Sequence, residues 1–163
     1  MASIFLASWV ICLDESMSIW NSIWTFPGWI LCPRKPHIFG NEWYTACCAL
    51  SGILFVVDLV EGKTHHCQDV PLEFEDLGGK TVGLLLRMAK SYFATGMYVI
   101  LDSGLYVLKG LIQLRKKFVF ACAIIKKIRY WPSVVPGKDM DDHYREVEVG
   151  ETDSIQETVD DII

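Results

Sequence analysis

Residues 97–104 read MYVILDSG, an apolar run that ends in an aspartate followed by a serine and a glycine. A short apolar run of this kind is typical of a strand buried in a sheet. A carboxylate at the end of such a strand is costly to bury unless it is paired or binds a metal. Asp102 is therefore the first candidate functional residue of the chain.

A second stretch has the same form. Residues 8–14, SWVICLD, predict a first strand that ends in Asp14. If the two strands are neighbours in one sheet, both acids emerge at the same edge. Carboxylates that close together repel each other, and Mg²⁺ suits a site of one or two carboxylates with phosphate oxygens. The alternative is that Asp102 caps a helix that begins near Leu105, because aspartate is a favoured N-cap.

The periodicity of the remaining chain predicts the order β-β-β-α-β-α-β. The predicted strands are residues 8–14, 42–50, 53–60, the run of MYVILDSG and 118–125, and the predicted helices are residues 80–94 and 105–117. Small residues at Ser51–Gly52 suit a tight hairpin. Residues 20–40 hold several prolines and predict an ordered loop. An antiparallel meander followed by alternating helices and strands indicates an α/β fold, a mixed sheet with flanking helices.

Charge divides the 163 residues into two parts. Residues 1–137 carry 13 Lys and Arg against 10 Asp and Glu, whereas residues 138–163 carry 2 against 10. We expect one folded core over 1–137 and an acidic, loosely ordered tail over 138–163. The apolar runs are too short, or too interrupted by charges, to predict a membrane-spanning helix.

The six cysteines contain no CxxC pair, so we interpret them as reduced thiols that serve mainly as small buried side chains. Adjacent Cys47 and Cys48 are expected on opposite faces of a strand. His65, His66 and Cys67 have no second cluster to complete a metal site, which favours a solvated loop.

The sequence GGKT at 78–81 lacks the first glycine of a phosphate-binding loop, because Phe74 stands there, and Gly78–Gly79 is predicted to open a helix instead. Two basic groups are candidates for contact with nucleic-acid phosphates. They are Arg34 with Lys35, and Lys126, Lys127 and Arg129 beside Tyr130 and Trp131. A solvated helix or strand end is the alternative for the second group.

Five segments in this order resemble the transposase domain of piggyBac-type elements. They are DES at 14–16, PRKPHIFGNEW at 33–43, VEGK at 60–63, ILDSG at 100–104 and KKIRYWP at 126–132. The resemblance covers roughly residues 8–150 and implies an RNase H-like fold, as in retroviral integrases. It implies that DNA at element ends is cut and rejoined in the nucleus, by a triad of aspartates that holds Mg²⁺ or Mn²⁺.

Asp14 and Asp102 match the first two acids of that triad. The family's third acid lies well downstream of the KRYWP-like segment, and Asp139, Asp141 and Asp142 do not match its surroundings. We therefore expect a truncated catalytic core, incomplete at its C-terminus, with weak or no catalysis. The resemblance also implies DNA as partner and association between copies of the chain.

Two other functions stay open. The chain is a non-catalytic module that binds DNA or protein through its basic residues, with the acidic tail shielding that surface. Alternatively it is a relic with exposed apolar surface, which predicts aggregation or a partner.

Overall fold

The computed structural model of this protein describes residues 8–22, 28–60, 73–125 and four isolated positions, 142, 145, 148 and 150. Its strands are β1 (Val10–Ile19), β2 (Trp29–Leu31), β3 (Phe39–Cys48), β4 (Leu54–Leu59), β5 (Tyr98–Leu101) and β6 (Phe120–Ala123), and its helices are α1 (Lys80–Ala89) and α2 (Leu108–Lys116). Short 3-10 turns at Glu75–Leu77 and Lys90–Tyr92 flank α1.

The strands form one mixed sheet in the order β2-β3-β1-β5-β6. β1 pairs antiparallel with β3 on one side and parallel with β5 on the other, and β5 pairs parallel with β6. The outer edge of β3 is shared by β2 and β4, which pair with different parts of it. The predicted meander and the predicted mixed sheet with helices are thus confirmed.

Several predictions of the element boundaries were wrong. β1 does not end at Asp14 but continues for five more residues to Ile19, because the long antiparallel partner β3 supports it there. The loop over residues 20–40 contains a short strand, β2, which pairs through the backbone of β3 and so needs no apolar periodicity of its own. The predicted helix over 80–94 ends at Ala89 and continues only as a 3-10 turn.

Both described helices contribute to one hydrophobic core on a single face of the sheet. The apolar positions at helical spacing in α1 are fully buried, among them Val82, Leu85 and Leu86. They belong to one cluster with Ile11 of β1 and Leu101 of β5, among other strand residues. Burial of such side chains contributes about 1.5–3 kcal/mol each. Neither described helix is long and apolar enough to cross a bilayer.

Gly79 begins α1, as GGKT was predicted to do. Its φ of 89° lies in the left-handed region, which residues other than glycine rarely adopt. The Gly79 carbonyl accepts the first backbone hydrogen bond of the helix, from the Gly83 N–H at 2.9 Å. The segment therefore serves as a helix start.

The opposite face of the sheet carries alternate residues of the same strands. Cys12, Asp14 and Ile100 point to this face because Ile11, Leu13 and Val99 point into the core. Ile100 is 42% exposed, so the described helices leave this face open to solvent.

Candidate active site

The two candidate aspartates follow paired residues on neighbouring strands. The parallel register pairs Leu13 of β1 with Leu101 of β5, and each aspartate is the next residue along its strand. The sheet therefore brings Asp14 and Asp102 to one edge, as expected for strands that are neighbours. Both side chains are exposed to solvent.

Asp14 lies where β1 runs past the end of its partner β5. Beyond Leu13 the β5 side of β1 has no strand partner among the described residues, whereas the β3 side remains paired. The Glu15 N–H, which points to that open side, donates a hydrogen bond of 2.7 Å to Asp14 Oδ1. On the other side, Thr45 Oγ1 donates to the Asp14 carbonyl at 3.2 Å. These two contacts fix the backbone around the acid.

Asp102 begins a tight turn that leads out of β5. Its carbonyl accepts a hydrogen bond from the Leu105 N–H at 3.0 Å, and its Oδ2 accepts a longer one from the Gly104 N–H at 3.4 Å. The alternative that Asp102 caps the following helix is wrong, because α2 begins only at Leu108 and its N-cap is Val107, which makes no side-chain cap. The turn holds the carboxylate at the end of the strand.

Glu15 is a site residue that the sequence interpretation set aside. It does point to the opposite face of β1 from Asp14, as expected, and it is half-buried there beyond Leu13. The turn after β5 nevertheless reaches it, since a Cβ placed on Gly104 lies 3.2 Å from Glu15 Oε1 and 3.8 Å from Asp102 Oδ2. Glu15 and Asp102 therefore face the same small space beside Gly104.

Charged neighbours act on Glu15 from several elements. Burial raises the pKa of its carboxyl above the ordinary value, and Glu42 on β3 and Asp102 raise it further. Lys35 and Arg34 lower the same pKa. Three acids therefore lie near the basic pair of the β2–β3 loop at this edge of the sheet: Glu15, Glu42 and Asp102.

The basic pair reaches this edge through a folded loop. The Lys35 N–H donates to the Cys32 carbonyl at 3.1 Å, which closes a turn after β2. The Lys35 ammonium then donates to the Glu15 carbonyl oxygen at 3.1 Å. Arg34 is exposed beside it. The predicted basic pair therefore lies at the same sheet edge as Glu15.

Tyr44 lies opposite Glu15 in the ladder between β1 and β3. Burial raises the pKa of its phenol, and the carboxylates of Glu15, Glu42 and Asp58 raise it further. The hydroxyl therefore stays protonated at neutral pH and is available as a hydrogen-bond donor next to the acids.

The donor set suits a hard divalent cation that keeps part of its shell for other ligands. Among the residues that the structure describes, no group of three His, Cys, Asp or Glu is arranged to hold a metal ion by itself. The carboxylates of Asp14, Asp102 and Glu15 are nevertheless oxygen donors at one solvent-accessible edge, and Mg²⁺ uses one or two such carboxylates with water and phosphate oxygens. The residues present fit a metal that is shared with a phosphate-bearing ligand.

Two other groups of candidate residues cannot be compared with this edge. The basic group Lys126, Lys127 and Arg129 and the group His65, His66 and Cys67 lie outside the described residues. No sequence signal favoured Glu15, because only the turn geometry after β5 places it beside Asp102.

A family model described as Transposase IS4 matches residues 1–162. Among solved structures, the fold resembles that of a piggyBac transposase, determined by cryo-electron microscopy as a synaptic complex with hairpin DNA. The TM-score is 0.60 at 14% sequence identity, and the match covers 79% of this chain and 26% of that chain. A search of curated proteins gives no match. The similarity establishes the RNase H-like fold.

Proposed function

Because this chain belongs to the Transposase IS4 family, as a piggyBac-like DDE transposase domain, we propose that its acid edge is the metal site of a DNA-cleaving and strand-transferring centre. The observation that carries the proposal is the parallel register of β1 and β5, which sets Asp14 beside Asp102. We further propose that the substrate is DNA and that the protein acts in the nucleus.

The two aspartates have the same role in this proposal, which is to bind the metal. Asp14 and Asp102 would hold Mg²⁺ or Mn²⁺. When bound, the metal would supply Lewis-acid activation of water and neutralise negative charge near the DNA phosphate. The backbone contacts of both aspartates keep their carboxylates at the strand ends. Two carboxylates leave much of the metal shell to water and to the DNA phosphate, so we propose that binding is weak and that cleavage by this chain is slow.

Arg34 and Lys35 are proposed to hold the DNA backbone. Lys35 is partly occupied by the Glu15 carbonyl, whereas the exposed guanidinium of Arg34 is free to turn towards a phosphate because it contributes only a charge to Glu15. A guanidinium binds phosphate with two parallel hydrogen bonds. Lys126, Lys127 and Arg129, which lie outside the described residues, are proposed to extend this contact.

Thermal melting with Mn²⁺ tests the metal site. We expect millimolar Mn²⁺ to raise the melting temperature of the wild type, because a ligand that binds only the folded state stabilises it. Asp102→Asn and Asp14→Asn keep the size of each side chain and remove the charge, and both are expected to lose the shift. Asp76→Asn, an exposed acid in the 3-10 turn before α1, is the matched control and is expected to keep it.

Nicking of supercoiled DNA in Mn²⁺ then tests the reaction. Slow nicking by the wild type that disappears in Asp102→Asn supports the proposal. A melting shift that persists in both aspartate variants, or nicking that is equal in all four proteins, shows that this edge is not the metal site.

A non-catalytic DNA-binding module is the second candidate. It is favoured by the observation that Arg34 lies exposed beside Lys35 at the same edge. This function predicts DNA affinity that falls steeply with salt and does not depend on Mn²⁺. Arg34→Gln is expected to weaken it, and an absence of binding at low salt contradicts it.

A further inference from the structure

Cys12 of β1 and Cys47 of β3 lie directly opposite each other in the antiparallel ladder. The hydrogen bond from the Ala49 N–H to the Val10 carbonyl, 3.1 Å, sets the alternation of this ladder. Cys12 lies two residues after Val10, and Cys47 lies two residues before Ala49. They therefore also form a hydrogen-bonded pair, in which the Cα atoms are about 5.5 Å apart. This separation lies within the range of about 4.4–6.8 Å that disulfides span.

Both side chains lie on the sheet face that the described helices leave open. Each is partly exposed. The register and the shared face place the two thiols next to each other, where a small molecule can reach them.

The other described thiols are less well placed to join this pair. Cys48 follows Cys47 but points into the core and is 2% exposed. Cys122 is exposed on the same face, but Ile100 of β5 stands between it and Cys12 in the register. Cys32 is buried beyond β2.

We propose that Cys12 and Cys47 are a redox-active pair that closes to a disulfide by exchange with a small disulfide such as oxidised glutathione. One protein thiolate attacks a sulfur of the oxidant and releases one glutathione thiolate, which leaves a mixed disulfide. The second protein thiolate attacks the protein sulfur of that bond and releases the other glutathione. Two protein thiols become one disulfide, and the oxidant becomes two thiols that take up the two protons.

The bond is expected to be easily reversed. Directly opposite residues hold their Cβ atoms about 4.5–5.5 Å apart, whereas a disulfide draws them to about 3.8 Å. The closed form therefore distorts the two strands, and strained disulfides are the more readily reduced ones. Because Cys12 lies two residues before Asp14, the closed bond also ties β1 to β3 next to the acid edge.

Mass spectrometry of the whole purified chain tests this proposal, which does not depend on the proposed function. The protein is equilibrated in glutathione buffers with a rising share of the oxidised form, free thiols are blocked in acid, and unreduced peptides are mapped. We expect a peptide pair linked through Cys12 and Cys47 in the monomer, which disappears when the sample is reduced.

Single variants sharpen the result. Cys12→Ser and Cys47→Ser are expected to keep a mixed disulfide with glutathione on the remaining cysteine, since no partner displaces it, whereas Cys122→Ser behaves as wild type. A wild type that carries only mixed disulfides at every buffer ratio, or links found only between two chains, overturns the proposal. If a serine variant does not fold, the linkage map of the wild type still decides.

Discussion

Gly104 is the residue that lets the turn after β5 approach β1. A methyl group there lies 3.2 Å from Glu15 Oε1, closer than ordinary van der Waals contact, so the missing side chain leaves room for two carboxylates. The same turn presents the Asp102 carboxylate at the strand end through its own backbone hydrogen bonds. At the scale of single residues, the site depends on the size of one glycine as much as on its acids.

Gly104→Ala tests this dependence. The new methyl group pushes the Glu15 carboxylate away from Asp102 but leaves the strands in place, so we expect a change in unfolding free energy below about 1 kcal/mol. If Glu15 contributes to the metal site, the Mn²⁺-induced shift in melting temperature becomes smaller than in wild type. Ser103→Ala in the same turn is the control, and an unchanged shift in Gly104→Ala shows that Glu15 has no part in metal binding.

Tyr106 gives a second prediction at this scale. Burial raises the pKa of its phenol above the ordinary value of 10.0, so the folded protein keeps a proton that the unfolded chain loses near pH 10. Above that pH the unfolded chain binds fewer protons, and stability falls as pH rises. Tyr106→Phe is expected to reduce this alkaline loss, measured as urea midpoints across the range. A variant that loses stability as steeply as wild type contradicts this prediction; Tyr98→Phe serves as control.

The long strands β1 and β3 determine the architecture at the scale of elements. They pair from Ile11 to Ile19, and this length lets β1 run past β5 and expose the acid edge. Their far end is held by a close backbone approach at Gly40, where a Cβ would overlap the Ser18 carbonyl oxygen. A side chain at Gly40 therefore requires the two strands to separate.

Gly40→Ala is expected to destabilise the protein by about 2 kcal/mol or more, because the obstacle is backbone and cannot rotate away. Gly52→Ala in the β3–β4 turn is the informative comparison, since its φ is 68° but no atom lies within 4 Å of the added methyl group. It should cost about 1 kcal/mol, from conformation alone. Chemical denaturation of both variants distinguishes crowding from strain, and equal losses contradict the close approach.

The described residues share one core at the scale of the whole molecule. Side chains of α1 and α2, such as Leu85 and Leu114, belong to the same cluster as those of the sheet, so the helices and strands are expected to unfold together. The helices cover one face only, and the acid edge and the cysteine pair are reached from outside this core.

Leu85→Ala is expected to lower the unfolding free energy by about 2–5 kcal/mol, because the Leu85 side chain is fully buried in the core that α1 shares with the sheet and α2. The transition should remain single, with far- and near-ultraviolet circular dichroism changing together. Leu50→Ala is the control, since Leu50 is 83% exposed and its loss should change stability by less than about 0.5 kcal/mol. Separate transitions for the two signals indicate that helices and sheet are not one cooperative unit.

Several local features of this fold can be predicted from the sequence alone. The apolar periodicity of α1 and the helix start at Gly79 are local consequences of side-chain spacing and backbone freedom, and they were predicted correctly. A turn at Ser51–Gly52 was also predicted, but the connection runs over residues 49–53 and is longer than a tight hairpin. The α/β class and the two candidate acids could also be predicted from local patterns. An acid that follows an apolar run can be recognised without knowledge of the residues that surround it in the fold.

Only the tertiary structure decided which groups meet. The length of β1 depends on its partner β3, the existence of β2 depends on the backbone of β3, and neither leaves a periodic signal in its own residues. Glu15 was set aside because alternation along one strand places it away from Asp14, yet the turn after β5 carries Asp102 and Gly104 to it. Contacts between segments more than 80 residues apart depend on which strands pair with each other, and the pattern within one strand does not specify its partner.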